Sequence, residues 1–126
     1  MRYSPFVLDH VKNPRNVGEL PDANAKARVR SIEDGDMLQL HLKIENGIVT
    51  AARFKVFGCG AAIATGSVLT ELAIGKTPEE LRTITNQQIS EFMGGLPAEK
   101  VHCSVLAEQA IQSALQHYED PSQRLP

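Results

Sequence analysis

The two cysteines of this chain are the residues whose surroundings best suit metal or sulfur chemistry. Cys59 lies between two glycines where a strand-like run ends and a helix-like run begins, and Cys103 directly follows His102. A thiolate is the form of cysteine that binds metals and attacks sulfur, and the first turn of a helix stabilises it through unpaired N–H groups and a positive dipole end. We therefore expect both thiols to be activated at helix starts.

Simple packing is the alternative interpretation for each cysteine, because a free cysteine usually behaves as a small, buried, apolar side chain. The glycines that flank Cys59 favour a functional role, since glycine permits positive φ and lets another group approach the backbone closely. His102 adds a nitrogen donor beside Cys103. Adjacent residues inside a regular helix point apart, so we expect this pair at a helix entrance.

Length and composition predict a single domain over residues 1–126, with 42% hydrophobic and 22% charged residues. The 13 basic and 15 acidic residues are scattered and give a formal charge of -2, so we expect no nucleic-acid partner. No apolar stretch is long enough for a membrane span, and the first residues lack the layout of a secretory signal. We expect a cytoplasmic protein, in which two distant cysteines indicate metal binding or reactivity rather than a disulfide.

Hydrophobic periodicity predicts a short first helix and then three strands. The clearest strand alternates apolar and polar residues from Met37 to Ile44, and an Asn46-Gly47 turn returns the chain as an antiparallel partner. The predicted elements of this half are a helix over Pro5–Val11, a loop over residues 13–25, and strands over Ala27–Ile32, Met37–Ile44 and Ile48–Phe57.

After Gly60 the apolar period changes to that of helices. The predicted helices cover Ala61–Ile74, a segment that begins at the cap Thr77, Asn86–Phe92 and Val101–Tyr118. Strands followed by helices predict an α+β fold, in which an antiparallel sheet is covered by helices on one face.

Two acidic residues, Asp34 and Asp36, directly precede the clearest strand. Alone they are typical of a solvated turn. However, the start of one strand, the end of its neighbour and a helix entrance can converge at one sheet edge, which would bring Asp36 near Cys59, His102 and Cys103. One carboxylate, one imidazole and two thiolates suit zinc or iron better than calcium or magnesium.

Several segments together resemble the IscU/NifU-type iron-sulfur cluster assembly scaffold family. They are Asn13–Gly18, Ala52–Gly60, Gly75-Lys76 and His102–Glu108, in the same order and at similar separations over nearly the whole chain. The resemblance implies a three-stranded antiparallel sheet. It also implies a scaffold rather than an enzyme, one that accepts sulfur from a cysteine desulfurase, builds a [2Fe-2S] cluster and serves apo iron-sulfur proteins.

The resemblance implies ligand roles for Asp36, Cys59, His102 and Cys103, and a persulfide-acceptor role for Cys103. The chain departs from the family where Asp34 replaces the first cysteine. A carboxylate is a harder ligand that cannot carry a persulfide, although Asp34 is a further candidate cluster ligand. A [2Fe-2S] cluster would therefore need oxygen ligation. A single zinc or Fe(II) ion at the other four residues needs no missing ligand.

The resemblance leaves three functions open: a scaffold for iron or a labile cluster, a zinc-bound persulfide-transfer protein, and a degenerate adaptor of the assembly machinery. The segment Leu96-Pro97-Ala98-Glu99-Lys100 resembles the chaperone-recognition loop of the family, with its middle residues altered. A heat-shock chaperone is thus a candidate partner. A simple connection between helices is the alternative interpretation of this segment.

Overall fold

The computed structural model describes residues 4–31, 35–96 and 100–120. Three strands in the order β1-β2-β3 form one antiparallel sheet, and the described helices lie on one face of it. The elements are α1 (Pro5–Lys12), β1 (Ala25–Arg30), β2 (Met37–Glu45), β3 (Ile48–Phe57), α2 (Gly60–Ala73), α3 (Pro78–Arg82), α4 (Asn86–Phe92) and α5 (Val101–Glu119). The predicted element bounds agree with these to within two residues.

The hairpin of β2 and β3 forms around the predicted Asn46-Gly47 turn. Both residues have positive φ, 53° and 78°, as the tight turns that match the twist of paired strands require. The resulting register places Met37 opposite Phe57 at the far end of the hairpin. Between Lys43 and Ile44 the pairing shifts by one residue, as at a β-bulge. The turn and this shift together decide which residues meet at the edge where the strands begin and end.

One face of the sheet carries the core. Alternate residues of β2, Leu38, Leu40 and Leu42, are buried on this face, and α2 and α5 pack across it. The remaining helices pack on these two, α1 on α2, and α3 and α4 on α5. This arrangement confirms the predicted α+β fold with helices on one face. Among the described helices, none is both long and apolar enough to cross a membrane.

A buried polar contact ties α1 to α2. His10 Nε2 lies 3.4 Å from the Glu71 carboxylate, which favours the proton on Nε2, so Nδ1 accepts the Ser67 hydroxyl proton at 2.7 Å. The Arg15 backbone N–H donates to the same Ser67 oxygen at 2.8 Å. Burial lowers the pKa of His10, which keeps the imidazole neutral and able to accept.

The outer face of the sheet is crossed by the segment predicted as a loop, residues 13–24. Phe54 N–H donates to Asn16 O and Gly18 N–H donates to Phe54 O, so the segment adds a short parallel bridge to β3. Leu20 N–H then donates to His41 Nδ1 at 3.1 Å on β2, and the Asn24 side chain bonds both backbone groups of Ile44. The loop thus runs from the backbone edge of β3 past β2 to the start of β1.

At Gly66, α2 packs closely against the sheet. A Cβ atom added there would lie 2.3 Å from a ring carbon of Phe54 on β3. We expect Gly66→Ala to lower the free energy of unfolding by about 1–3 kcal/mol, because the buried ring must move in a packed core. Urea unfolding of the metal-free protein measures this change.

Gly60→Ala in the same helix is the matched control. Its added Cβ would meet Val11 at 3.6 Å, an ordinary contact, so we expect no loss of stability. A Gly66→Ala protein as stable as the Gly60→Ala protein would contradict this account of the packing of α2.

Candidate metal centre

The candidate metal centre lies at one edge of the sheet, where β2, α2 and α5 begin and β3 ends. Asp36 directly precedes β2, Cys59 is the N-cap residue of α2, and His102 and Cys103 lie in the first turn of α5. Because Met37 pairs with Phe57, Asp36 and the residues that follow β3 are side by side. The packing of α5 along β1 and β2 then brings the start of α5 to the same edge.

The donor atoms of these residues are close together. An oxygen of Asp36 and the Sγ atoms of Cys59 and Cys103 all lie within 4.8 Å of one another. His102 Nε2 lies 3.0 Å from Asp36 Oδ2 and 3.6 Å from Cys103 Sγ. The structure therefore brings together the four residues that the sequence singled out, and their role as metal ligands stays a prediction.

The separations fit a single tetrahedral ion after a small contraction. Ligand bonds of about 2.0–2.3 Å place two donors of one zinc or iron ion about 3.3–3.8 Å apart. The donor atoms of Asp36, Cys59 and Cys103 lie within 4.8 Å of one another, so side-chain movements of about 1 Å would bring them to these separations. The mixture of sulfur, nitrogen and oxygen donors suits zinc or iron, which accept all three.

Gly58 makes room for the Asp36 carboxylate. A Cβ atom at Gly58 would lie 2.8 Å from Asp36 Oδ1, whereas one at Gly60 would meet only Val11 at 3.6 Å. Neither glycine has positive φ, so the chain does not use here the left-handed conformation that glycine permits. The expected close approach is present, and Gly58 provides it by lacking a side chain.

The Cys103 thiol is buried, with 1% of the residue exposed, whereas Cys59 is half-buried. Burial, reinforced by the neighbouring Cys59 and Asp36, raises the pKa of the Cys103 thiol to about 12. The expectation that a helix start activates this thiol was therefore wrong for the metal-free protein, because desolvation and acidic neighbours outweigh the dipole of α5. A bound cation would reverse this balance, since a coordinated thiol is deprotonated.

A cleft of about 660 Å³ opens beside this edge on the outer face of the sheet. It is lined by Glu19, Arg28, Arg30, Gly35, Met37, Gln39, Lys55 and Phe57. The cations of the cleft and Gly58 were not among the candidate residues identified from sequence. The alternation of β1 and β3 carries the signal for the cations, because it places Arg28, Arg30 and Lys55 on the side away from the core.

Two of the sequence-based candidates lie outside the described residues. Asp34 is one, and Pro97–Glu99 of the candidate chaperone loop is the other. At the borders of that loop, Leu96 packs against the core and Lys100 is the N-cap residue of α5. Their roles stay predictions.

Comparison with known proteins places this arrangement in a family. Residues 2–124 match the family described as NifU-like N terminal domain. The chain is 48% identical over 122 residues to the iron-sulfur cluster assembly scaffold protein IscU of Haemophilus influenzae, covering 94% of this chain and 96% of that protein. It is 44% identical over 122 residues to the protein of the same name from Escherichia coli, covering 94% of each.

The fold is similar to that of solved structures. The crystal structure of a nitrogen-fixing NifU-like protein (N-terminal) from Brucella abortus superimposes with a TM-score of 0.75 at 22% identity, covering 94% of this chain and 95% of that one. The family match spans nearly all of the chain and agrees with the resemblance seen in its motifs. This protein belongs to the NifU-like N-terminal domain family.

Proposed function

We propose that this protein is a scaffold on which an iron-sulfur cluster is assembled, with Asp36, Cys59, His102 and Cys103 as the residues that hold the iron. The observation that carries the proposal is the convergence of their donor atoms at one sheet edge. Relatives at 48% and 44% identity are named iron-sulfur cluster assembly scaffold proteins, which supports the same function.

The geometry suits a cargo that is held and later released. The two thiolates supply the soft ligands that iron-sulfur clusters need, and the Asp36 oxygen is a harder ligand that exchanges more readily. The half-buried Cys59 leaves one side of the centre open to solvent, whereas Cys103 lies against the core. A cluster held in this way would be labile.

His102 has two roles open to it. Its Nε2 lies 3.0 Å from Asp36 Oδ2, so in the metal-free protein it provides a hydrogen-bond partner for a carboxylate that is only 7% exposed. If iron coordinates Asp36, the same nitrogen can instead bind the metal. Either role makes His102 necessary for an ordered centre.

Sulfur delivery is the second part of the proposed function. The Cys103 thiolate attacks the outer sulfur of a persulfide on a cysteine desulfurase, a new S–S bond forms on Cys103, and the donor cysteine leaves as a thiolate. Because Cys103 is buried and its pKa is raised to about 12, the first turn of α5 must move aside for this step, which returns the thiol to solvent and allows the thiolate to form. Assembly on the scaffold would then combine this sulfur with iron for transfer to apo iron-sulfur proteins.

A zinc-bound persulfide-transfer protein is the second candidate function. The observation that favours it is that the converging donors fit one ion without any contribution from Asp34. Under this alternative a single zinc ion occupies the centre, and Cys103 still accepts sulfur. We find no observation that favours a metal-free adaptor.

Anaerobic reconstitution with Fe(II), sulfide and a cysteine desulfurase tests the scaffold function. We expect bound iron and visible cluster absorbance in the wild type, and at least about a tenfold loss of retained iron in Cys59→Ala, Cys103→Ala, Asp36→Asn and His102→Gln. Asp34→Cys should retain more iron than the wild type, because it restores the first cysteine of the family pattern and so offers a soft ligand in place of a carboxylate.

The matched controls for these variants are Asp22→Asn, which alters an exposed aspartate, and His117→Gln, which alters a histidine near the other end of α5. Both should retain iron as the wild type does. A wild-type protein that shows neither cluster absorbance nor bound iron would overturn the scaffold function. Bound zinc in that protein would favour the second candidate.

Gly58→Ala tests the positioning of Asp36. The added Cβ would lie only 2.8 Å from Asp36 Oδ1 and would displace the carboxylate. We therefore expect the metal affinity to fall by about tenfold or more. Competition of Fe(II) or Zn²⁺ with a chelator measures the affinity. Gly60→Ala, on the other side of Cys59, is the control, and equal affinities for the two variants would contradict the role of Gly58.

Incubation with a cysteine desulfurase and cysteine tests the sulfur-acceptor role. We expect mass spectrometry to detect one added sulfur atom on Cys103 in the wild type and in Cys59→Ala, and none in Cys103→Ala. If the added sulfur instead resided on Cys59, the more exposed thiol, the assignment of Cys103 as the acceptor would be wrong.

A further inference from the structure

A groove separate from the metal centre lies between the edge strand β1 and α5. Its volume is about 610 Å³. One wall is Arg28–Arg30 of β1, and the other is formed by side chains of α5, Gln109, Gln112, Ser113 and Gln116. None of these residues belongs to the candidate metal centre, so the groove is a separate candidate binding site.

The β1 wall offers unused backbone groups. Ser31 N–H donates to Asp36 O, and with the register of β1 on β2 this directs the backbone groups of Ala27 and Val29 towards β2. Those of Arg28 and Arg30 therefore point outward, into the groove. Within residues 4–31, 35–96 and 100–120, no group bonds to the N–H of either arginine.

At the Lys26 end of β1, α5 covers the outward-facing edge of the strand. Lys26 N–H, which also points outward, donates to His117 Nδ1 at 3.1 Å, so α5 covers the edge there. Towards Arg30, none of the described residues bonds to the outward N–H groups of the edge. An exposed strand edge of this kind is a template for pairing with a further strand.

The α5 wall is polar and uncharged. Gln109, Gln112, Ser113 and Gln116 recur at helical spacing on one stripe of the helix. Glutamine amides both donate and accept hydrogen bonds, so they can bond the polar groups of an extended peptide without requiring a charge from it. The charge preference of the groove therefore comes from β1.

Charge decides which strand can pair here. Lys26, Arg28 and Arg30 share the outer face of β1. In an antiparallel pair of two β1 strands, these cations would lie opposite one another and repel, which disfavours a second copy of this chain. A strand with acidic residues at alternate positions would instead place a carboxylate opposite each arginine.

We propose that this groove binds an extended acidic segment of a partner protein, which adds to β1 as a fourth strand of the sheet. The backbone groups of Arg28 and Arg30 provide the main-chain hydrogen bonds, and the two guanidinium groups select carboxylates. Arg30 pairs with Met37, the residue after Asp36, so the bound segment would end beside the candidate metal centre.

Fluorescence anisotropy with a labelled peptide of alternating glutamate and valine tests this proposal, with the alternating lysine and valine peptide as the comparison. We expect the acidic peptide to bind and the basic peptide not to bind. Arg28→Pro removes an outward N–H without affecting a bond to β2, and proline is tolerated at such edge positions, so binding should weaken by about tenfold or more. Arg28→Gln with Arg30→Gln should weaken binding and reduce its dependence on salt.

Ser113→Trp, which fills the groove from α5, gives the same test if the proline variant does not fold. Lys12→Gln, which removes an exposed cation at the end of α1, is the matched charge control and should bind as the wild type does. Cluster reconstitution on each variant separates this proposal from the scaffold function, since none of these residues lies in the metal centre.

Two outcomes would overturn the proposal. One is an acidic peptide that fails to bind, or that binds equally to the wild type and to both groove-blocking variants. The other is a concentration-dependent dimer in sedimentation velocity that Arg28→Pro abolishes, which would make a second copy of this chain the occupant.

Discussion

The pairing of Met37 with Phe57 is the constraint on which the rest of the site depends. It places Asp36, just before β2, beside Gly58 and Cys59, just after β3. A one-residue slip of this register would turn every side chain of the strand to the opposite face and separate the carboxylate from the thiol. The hairpin turn and the buried face of β2 both help to fix this register. The same interactions therefore determine the packing of the core and the geometry of the site.

The candidate site is polar and poorly solvated, an environment that would favour a bound cation on electrostatic grounds. Asp36 is 7% exposed and Cys103 is 1% exposed, with a second thiol within reach of both. Burial of a carboxylate is costly unless a partner compensates it, and His102 provides the partner in the metal-free protein. A metal ion would compensate all the donors together, because it favours the Cys103 thiolate that burial otherwise keeps protonated.

Local chemistry made much of the fold predictable. The Asn46-Gly47 turn, the alternation of β2 and the capping residue Thr77 each act over a few residues, and the structure contains the expected turn and the capping box at Thr77. Effects that depend on distant contacts were less predictable. The role of Gly58 depends on Asp36, and the path of residues 13–24 across the outer face depends on hydrogen bonds to β2 and β3.

The sequence by itself determined the family, the hairpin, the order of the helices and the residue types able to bind a metal, because motifs and periodicity are properties of neighbouring positions. Only the tertiary structure decided that Cys103 is buried with a raised pKa while Cys59 stays half-buried. Only it decided that a groove separates β1 from a polar stripe of α5. Burial and edge exposure arise where distant segments pack, and that packing has no counterpart in the spacing of residues along the chain.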